Sequence, residues 1–512
     1  ERHLRRSFVL FMALALAGTA PVLAAAPAKP PATDAPAAPA AADGADAVTH
    51  HTLALGTTTL AYTARAGTVT LLDGDDKPSV RMFYVAYTLD GADPNHRPVT
   101  FLYNGGPGSS TMWLHMGSFG PVRVVTGDGT LTGPPPYHLV DNQATLLDRS
   151  DLVFIDMPGT GFGRILGKPS EIFGLDNDVH AFAQFIQRYI TTFGRWNSPK
   201  FLFGESYGTT RSAALVDYLQ QNDGIGVNGV VLQSTILNFG LDNGETGGDD
   251  WGYILYLPTE AATAWYHKTL PNAPASLGAL LPDVERFALG EYADALSKGA
   301  FVPAGEYADV VSKLHRYLGV SEQYIRNSDL RVPYNRLESE LLRGQGVAVG
   351  RLDSRFQTPA LDRVEDQPDW DPTDAAIDSA FTTSVNSYLR GTLHYDTPLL
   401  YNKGAYDQIQ DAGGWDLKHR GVSQPDVTPD LAEALSYNPD LRVFSANGYY
   451  DFATPYFETM YALGHLGVVP SLQKNITYGF YQSGHMIYLQ PQALTQMHDD
   501  LERWYAATLA GR

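Results

Sequence analysis

The chain has 512 residues, 44% hydrophobic and 11% aromatic, enough to bury the core of one enlarged domain or of two. It contains no cysteine, which excludes disulfides, thiolate metal sites and a cysteine nucleophile. A formal net charge of −20 argues against nucleic acid and anionic membrane surfaces as partners and fits a soluble exported protein.

In chain order, Arg2, Arg5 and Arg6 precede an apolar run from Phe8 to Ala17 and small residues around Val22–Ala26, which predicts a signal peptide over 1–26. Residues 27–47 are Ala/Pro-rich with almost no large apolar groups and read as a disordered tether. Export without disulfides points to a bacterial periplasm or exterior. Alternating stretches at Thr57–Tyr62, Gly67–Leu72 and Val80–Tyr87, with Asp73-Gly74 and Asp90-Gly91 as turn pairs, predict an antiparallel meander. Short buried strands follow at Val99–Tyr103 and Asp151–Asp156. From Asp178 an amphipathic helix carries Val179, Phe182, Phe185, Ile186, Tyr189, Ile190 and Phe193 on one stripe, capped by Asp176 or Asp178.

Phe201–Phe203 is a further strand, and Gly204-Glu205-Ser206-Tyr207-Gly208 leads from it into a helix over Thr209–Gln221. Strand, Gly-x-Ser-x-Gly and helix form a nucleophile elbow, a turn so tight that a Cβ on either glycine would collide with strand or helix. A strand at Gly229–Ser234 follows. The regular pattern lapses from 238 to 439, where helical pieces such as Ala261–Thr269, Val310–Leu318 and Thr373–Leu389 suggest a helical insertion over the active-site face. It resumes with a strand at Leu441–Ala446, a helix at Pro455–Leu466, a strand at Ile476–Phe480 and a helix at Gln492–Leu509. This alternation predicts an α/β fold with a mostly parallel sheet, helices on both faces, and a core split into 48–237 and 440–512.

A serine hydroxyl needs a base to take its proton and an acid to orient that base. In this architecture both follow the serine, in loops after late strands. Asp451, in Asn447-Gly-Tyr-Tyr-Asp451, and His485, in Tyr481-Gln-Ser-Gly-His485-Met486, occupy those positions. The glycine-rich stretch Asn104-Gly105-Gly106-Pro107-Gly108 can offer N–H groups to an oxyanion, naming Gly106 and Tyr207 as donors. No Gly-Lys-Ser/Thr accompanies it, which sets aside a phosphate loop, and no His-x-x-x-His pair is present. No metal or cofactor is implied.

Asn-Gly-Gly-Pro-Gly-Ser-Ser, Gly-Glu-Ser-Tyr-Gly, the Asp451 loop and Gly-His-Met together resemble the serine carboxypeptidase family of α/β-hydrolases, over about 97–235 and again over 440–490. Asp156-Met-Pro-Gly-Thr-Gly-Phe-Gly163 is similar to a further stretch of that family. The resemblance implies a Ser206, Asp451 and His485 triad, an oxyanion hole at Gly106 and Tyr207, and substrate binding by Asn104, Gly105, Glu205 and Met486. Asn104 and Glu205 would hold the terminal carboxylate of a peptide, and Met486 would line the leaving-residue pocket. A carboxyl binds another carboxylate only by sharing a proton, which predicts an acidic optimum. One departure stands out: Ser118 occupies the place of a second acidic residue that pairs with the glutamate in the family. A hydroxyl there can hydrogen-bond Glu205 but cannot share a proton as a carboxyl does. An esterase or acyltransferase on the same scaffold is therefore an alternative, and a non-catalytic binding protein a third.

Overall fold

In the computed structural model, which describes residues 46–241 and 248–510, a 10-stranded sheet runs through the molecule. The expected signal peptide and most of the tether lie outside the described residues. Asp46 accepts a hydrogen bond from Arg65, and Ala47 already opens the first strand.

Ala47–Leu55, Thr58–Leu72 and Pro78–Leu89 pair antiparallel. Thr57–Tyr62 and Gly67–Leu72, expected as two strands, are one continuous strand of 15 residues. Gly67 lies inside it because the Asp46 carboxylate covers that position; a Cβ there would sit 2.0 Å from Asp46 Oδ1. Beyond Pro78–Leu89 the order across the sheet is Asp151–Ile155, Val99–Tyr103, Lys200–Glu205, Gly229–Gln233, Arg442–Gly448 and Ile476–Tyr481, parallel from Asp151–Ile155 onward. Strands of this kind are buried on both faces, which is why they read as unbroken apolar runs instead of alternating ones.

Successive side chains of one strand feed two different cores. Phe201 and Phe203 point to the side covered by the helix Pro491–Leu509, through Leu501, Trp504 and Tyr505. Leu202 points to the opposite side, where the helices Leu175–Thr192 and Tyr207–Gln221 supply Phe182, Phe185, Ile186, Leu215 and Leu219. The first of these helices begins at Leu175 with Gly174 as its cap, not with an aspartate. Both aspartates are engaged elsewhere: Asp178 pairs with Arg211, and Asp176 accepts from His419.

Between the strands Gly229–Gln233 and Arg442–Gly448 lie the helices Trp251–Tyr266, Ala304–Leu318, Pro372–Ser387 and Thr428–Tyr437, among others. Their apolar faces do not form a separate globule. Leu255, Val310 and Leu314 pack with Phe452 and Tyr456 from beyond the insertion. Ile377 and Phe381 join the core that holds Tyr488, and Leu431 and Leu435 join the core on the other side of the sheet. No helix among the described residues is long and apolar enough to cross a membrane.

Candidate active site

The strand Lys200–Glu205 passes directly into the helix Tyr207–Gln221, and Ser206 alone makes the turn. Its φ of 61° and ψ of −132° are strained for an L-residue, the expected signature of an elbow. The flanking glycines are sterically required: a Cβ on Gly204 would lie 2.1 Å from Gly208 O, and one on Gly208 would lie 2.9 Å from Tyr103 O. The Ser206 amide donates to Gln233 O at 3.0 Å, and its carbonyl accepts from the amide of Thr209 at 2.8 Å. Glu205 and Tyr207 are buried on either side, so the serine is the residue that retains access to solvent.

The glycine loop lies against this turn. A Cβ on Gly105 would sit 2.5 Å from Tyr207 N and 2.6 Å from Gly208 N, so only a glycine allows the approach. Gly106, exposed and at φ 109°, is the next residue of the loop. The helix N-terminus has no side-chain cap, which leaves first-turn amides available to an anion. Asp156 anchors the loop's far end by accepting from the Thr111 amide at 2.6 Å, and it accepts from Tyr401 OH at 2.9 Å on the insertion side.

His485 Nδ1 lies 2.9 Å from Asp451 Oδ2. Asp451 is fully buried, its Oδ1 accepting from the amides of Ala453 and Thr454 and its Oδ2 from the Thr454 hydroxyl. A carboxylate so held can only accept from the ring, which places the imidazole proton on Nδ1 and leaves the Nε2 lone pair free as a base. Burial pulls the His485 pKa down, but the Asp451 charge and hydrogen bond outweigh it and the net shift is upward. The His485 carbonyl accepts from Ser234 Oγ at 2.7 Å and Gln233 Nε2 at 3.3 Å. Residues 233 and 234 therefore tie the serine turn and the histidine loop to one strand end.

Glu205 and Asn104 are brought together: Asn104 Nδ2 donates to Glu205 Oε1 at 2.7 Å, and Asn104 Oδ1 accepts from the Leu114 amide. Burial raises the Glu205 pKa to about 7. Ser118 does not serve as its partner. The Ser118 hydroxyl donates to Leu114 O at 2.6 Å, closing the short helix Met112–Gly117. The remaining partners of Glu205 are Gln233 Nε2 at 2.8 Å and Tyr488 OH at 3.3 Å, neither of which the sequence singled out. Met486 is buried in the apolar core beside Tyr488.

Also unanticipated is Arg211, fully buried one turn into the elbow helix. It donates to Asp178 Oδ2 at 2.7 Å and to Asn104 O at 2.9 Å, and its guanidinium lies over the Phe182, Tyr103 and Tyr207 rings. The only sequence signal was a cation on the sheet-facing side of a helix. Elsewhere, His498, Asp499 and Glu502 place possible ligand atoms within 4.8 Å of one another. Glu502 is paired with Arg149, and His498 sits between Asp148 and Asp499.

Comparison with known proteins bears on the first half of the chain. The family profile described as serine carboxypeptidase matches residues 58–246. The chain is 26% identical over 196 residues to serine carboxypeptidase-like 45 of Arabidopsis thaliana, covering 35% of this chain and 39% of that protein. It is 32% identical over 146 residues to the pheromone-processing carboxypeptidase KEX1 of Saccharomyces cerevisiae, covering 26% of this chain and 19% of the yeast protein. These matches thus span well under half the length of either relative. Among solved structures, proline iminopeptidase of Mycobacterium smegmatis aligns over 90% of this chain and 99% of its own, with 12% identity and a TM-score of 0.36. The sheet order is that of an α/β-hydrolase fold, and over residues 58–246 the chain is similar to serine carboxypeptidases.

Proposed function

We propose that the chain is an exported bacterial serine-type carboxypeptidase that removes the C-terminal residue of peptides. The observation that supports this reading is the Asp451–His485 bond at 2.9 Å, with Gln233 bonded both to the His485 carbonyl and to the amide of the strained, accessible Ser206. In the proposed reaction Ser206 Oγ attacks the last peptide carbonyl as His485 Nε2 takes its proton. That proton then passes to the leaving amine, and an acyl-enzyme remains on Ser206. Water, deprotonated by the same imidazole, releases the shortened peptide. Amides of Gly106 and Tyr207 hold the oxyanion. Asn104, Gly105 and a protonated Glu205 hold the substrate carboxylate, with Met486 against the leaving side chain. The upward shift of Glu205, to about 7, supports carboxylate binding that strengthens as pH falls. The raised His485 pKa sets the lower limit, because a protonated imidazole is no base. The sequence of residues 1–26 supports export.

One observation favours a second reading, an esterase or acyltransferase. Both Glu205 oxygens are already used by Asn104, Tyr488 and Gln233, and Ser118 is turned away. A single comparison separates the two: hydrolysis of an N-blocked dipeptide, its C-terminal amide and the matching ester, by the parent and by Ser206→Ala, from about pH 4 to about pH 9. Ser206-dependent cleavage of the free acid, stronger at low pH, supports the carboxypeptidase. Ester cleavage alone, strongest near neutrality, supports the alternative, and hydrolysis that survives Ser206→Ala refutes both.

A further inference from the structure

The insertion contributes a short segment, residues 351–355, that grips both loops carrying the acid and the base. Arg351 O accepts from the Phe452 amide at 3.0 Å, and the Ser354 amide donates to Tyr450 O at 2.9 Å, so the residues on either side of Asp451 are held. Leu352 O accepts from the His485 amide at 2.6 Å. Asp353 Oδ2 accepts from the Gly484 amide at 3.1 Å. Contact at this point is so close that a Cβ on Gly484 would lie 2.4 Å from Asp353 Cβ.

Asp353 is itself locked. Its carboxylate, fully buried, accepts from Arg355 Nε at 2.9 Å and from an Arg355 terminal nitrogen at 2.6 Å. That nitrogen also donates to Ser483 Oγ at 3.2 Å, and the other terminal nitrogen donates to Asp128 at 2.6 Å. Thr373 Oγ1 accepts from the Asp353 amide at 3.0 Å. An ion pair this deeply buried adds little net stability compared with apolar packing, whereas it fixes direction firmly. Its hydrogen bonds end on Ser483 and Gly484, the two residues before the histidine.

We propose that Asp353 and Arg355 are positioning residues for His485, holding the imidazole at the distance and angle from Asp451 that the reaction requires. The inference rests on the Ser206–His485–Asp451 reading given above. The pair touches no reacting atom and acts through the Ser483 hydroxyl and the Gly484 amide. A shift of about 1 Å in a catalytic group costs on the order of 10²-fold in rate. An imidazole set back from Asp451 also loses the partner that raises its pKa, so the acid limb of its activity moves down.

The test uses a fluorophosphonate probe, whose reaction with Ser206 needs the triad but not a particular substrate. Second-order labelling rates are measured against pH for the parent, Asp353→Asn, Arg355→Gln, Arg355→Lys and Ser206→Ala, with the folded fraction of each followed by circular dichroism. We expect Asp353→Asn and Arg355→Gln to label about 10²-fold more slowly with the acid limb displaced downward, and Arg355→Lys to recover part of both. Should Asp353→Asn fail to fold, the two Arg355 variants decide the matter. Parent-like rates in the variants overturn the inference. So does a slowing matched by lost folded protein with an unmoved limb, since that is destabilisation alone. In either case the catalytic reading stands. An unlabelled parent, no different from Ser206→Ala, overturns that reading and this inference together.

Discussion

Replacing Glu205 by glutamine probes how the site stores a proton. The carboxyl is 1% exposed, and burial raises its pKa from 4.5 to about 7. That rise corresponds to about 3 kcal/mol between the two protonation states. Below about pH 4.5 folded and unfolded chains both keep the proton, and the group contributes no pH dependence. As pH rises the unfolded chain ionises first, so folding loses stability until about pH 7; above that both are ionised and the loss stays constant. Glu205→Gln is neutral throughout. The introduced amide can still accept from Asn104 Nδ2, and it can donate to Gln233 if that side chain turns its Oε1, otherwise buried without a partner, toward it. Relative to the parent, the variant should be unchanged near pH 4 and more stable by about 3 kcal/mol near pH 8. Urea unfolding at the two pH values measures this directly. A stability difference that is the same at both would refute the argument that burial keeps Glu205 protonated.

Other expectations concern the same machinery. Asp451→Asn presents an amide donor to His485 Nδ1 and forces the other tautomer, so kcat should fall by about 10⁴ with the melting temperature little changed. Gly105→Ala drives a methyl to 2.5–2.8 Å from backbone atoms of residues 205, 207 and 208, none of which can swing aside. Urea titration should show a loss of at least about 1–3 kcal/mol. Arg211→Met leaves Asp178 buried without its counter-ion and should cost about 3–5 kcal/mol. The double variant Arg211→Met/Asp178→Leu should recover most of that in the same assay.

What the sequence made legible follows from which constraints are local. The elbow was readable because its geometry is written in adjacent residues: two glycines that cannot bear a Cβ, and a serine between strand and helix. Asp451 and His485 stand out as candidates because each follows a buried strand closely, and the fold bonds the two to each other. The helix Leu175–Thr192 was recognisable by its stripe, but its start was misjudged, since Asp176 and Asp178 look like caps yet bond to His419 and Arg211 far away in sequence. The same reason hid Gln233 and Tyr488, whose roles beside Glu205 exist only once separate strand ends meet. Ser118 reads as a departure from the family pattern, and its hydroxyl satisfies the helix behind it instead of the carboxyl. Asp353 and Arg355 lie in a stretch with no periodicity at all, and only the folded chain brings them to Gly484 and Ser483.

The grip of residues 351–355 on both loops has a consequence for how this protein can be remodelled. Segments that cover a reaction centre are attractive units for exchange between relatives, since swapping one promises a new pocket on an old engine. Here such a swap would also remove the acceptors for the amides of Phe452, Gly484 and His485. A chimera must therefore retain this five-residue stretch or supply equivalent acceptors. Diversity introduced on either side of it leaves the mounting of the histidine intact.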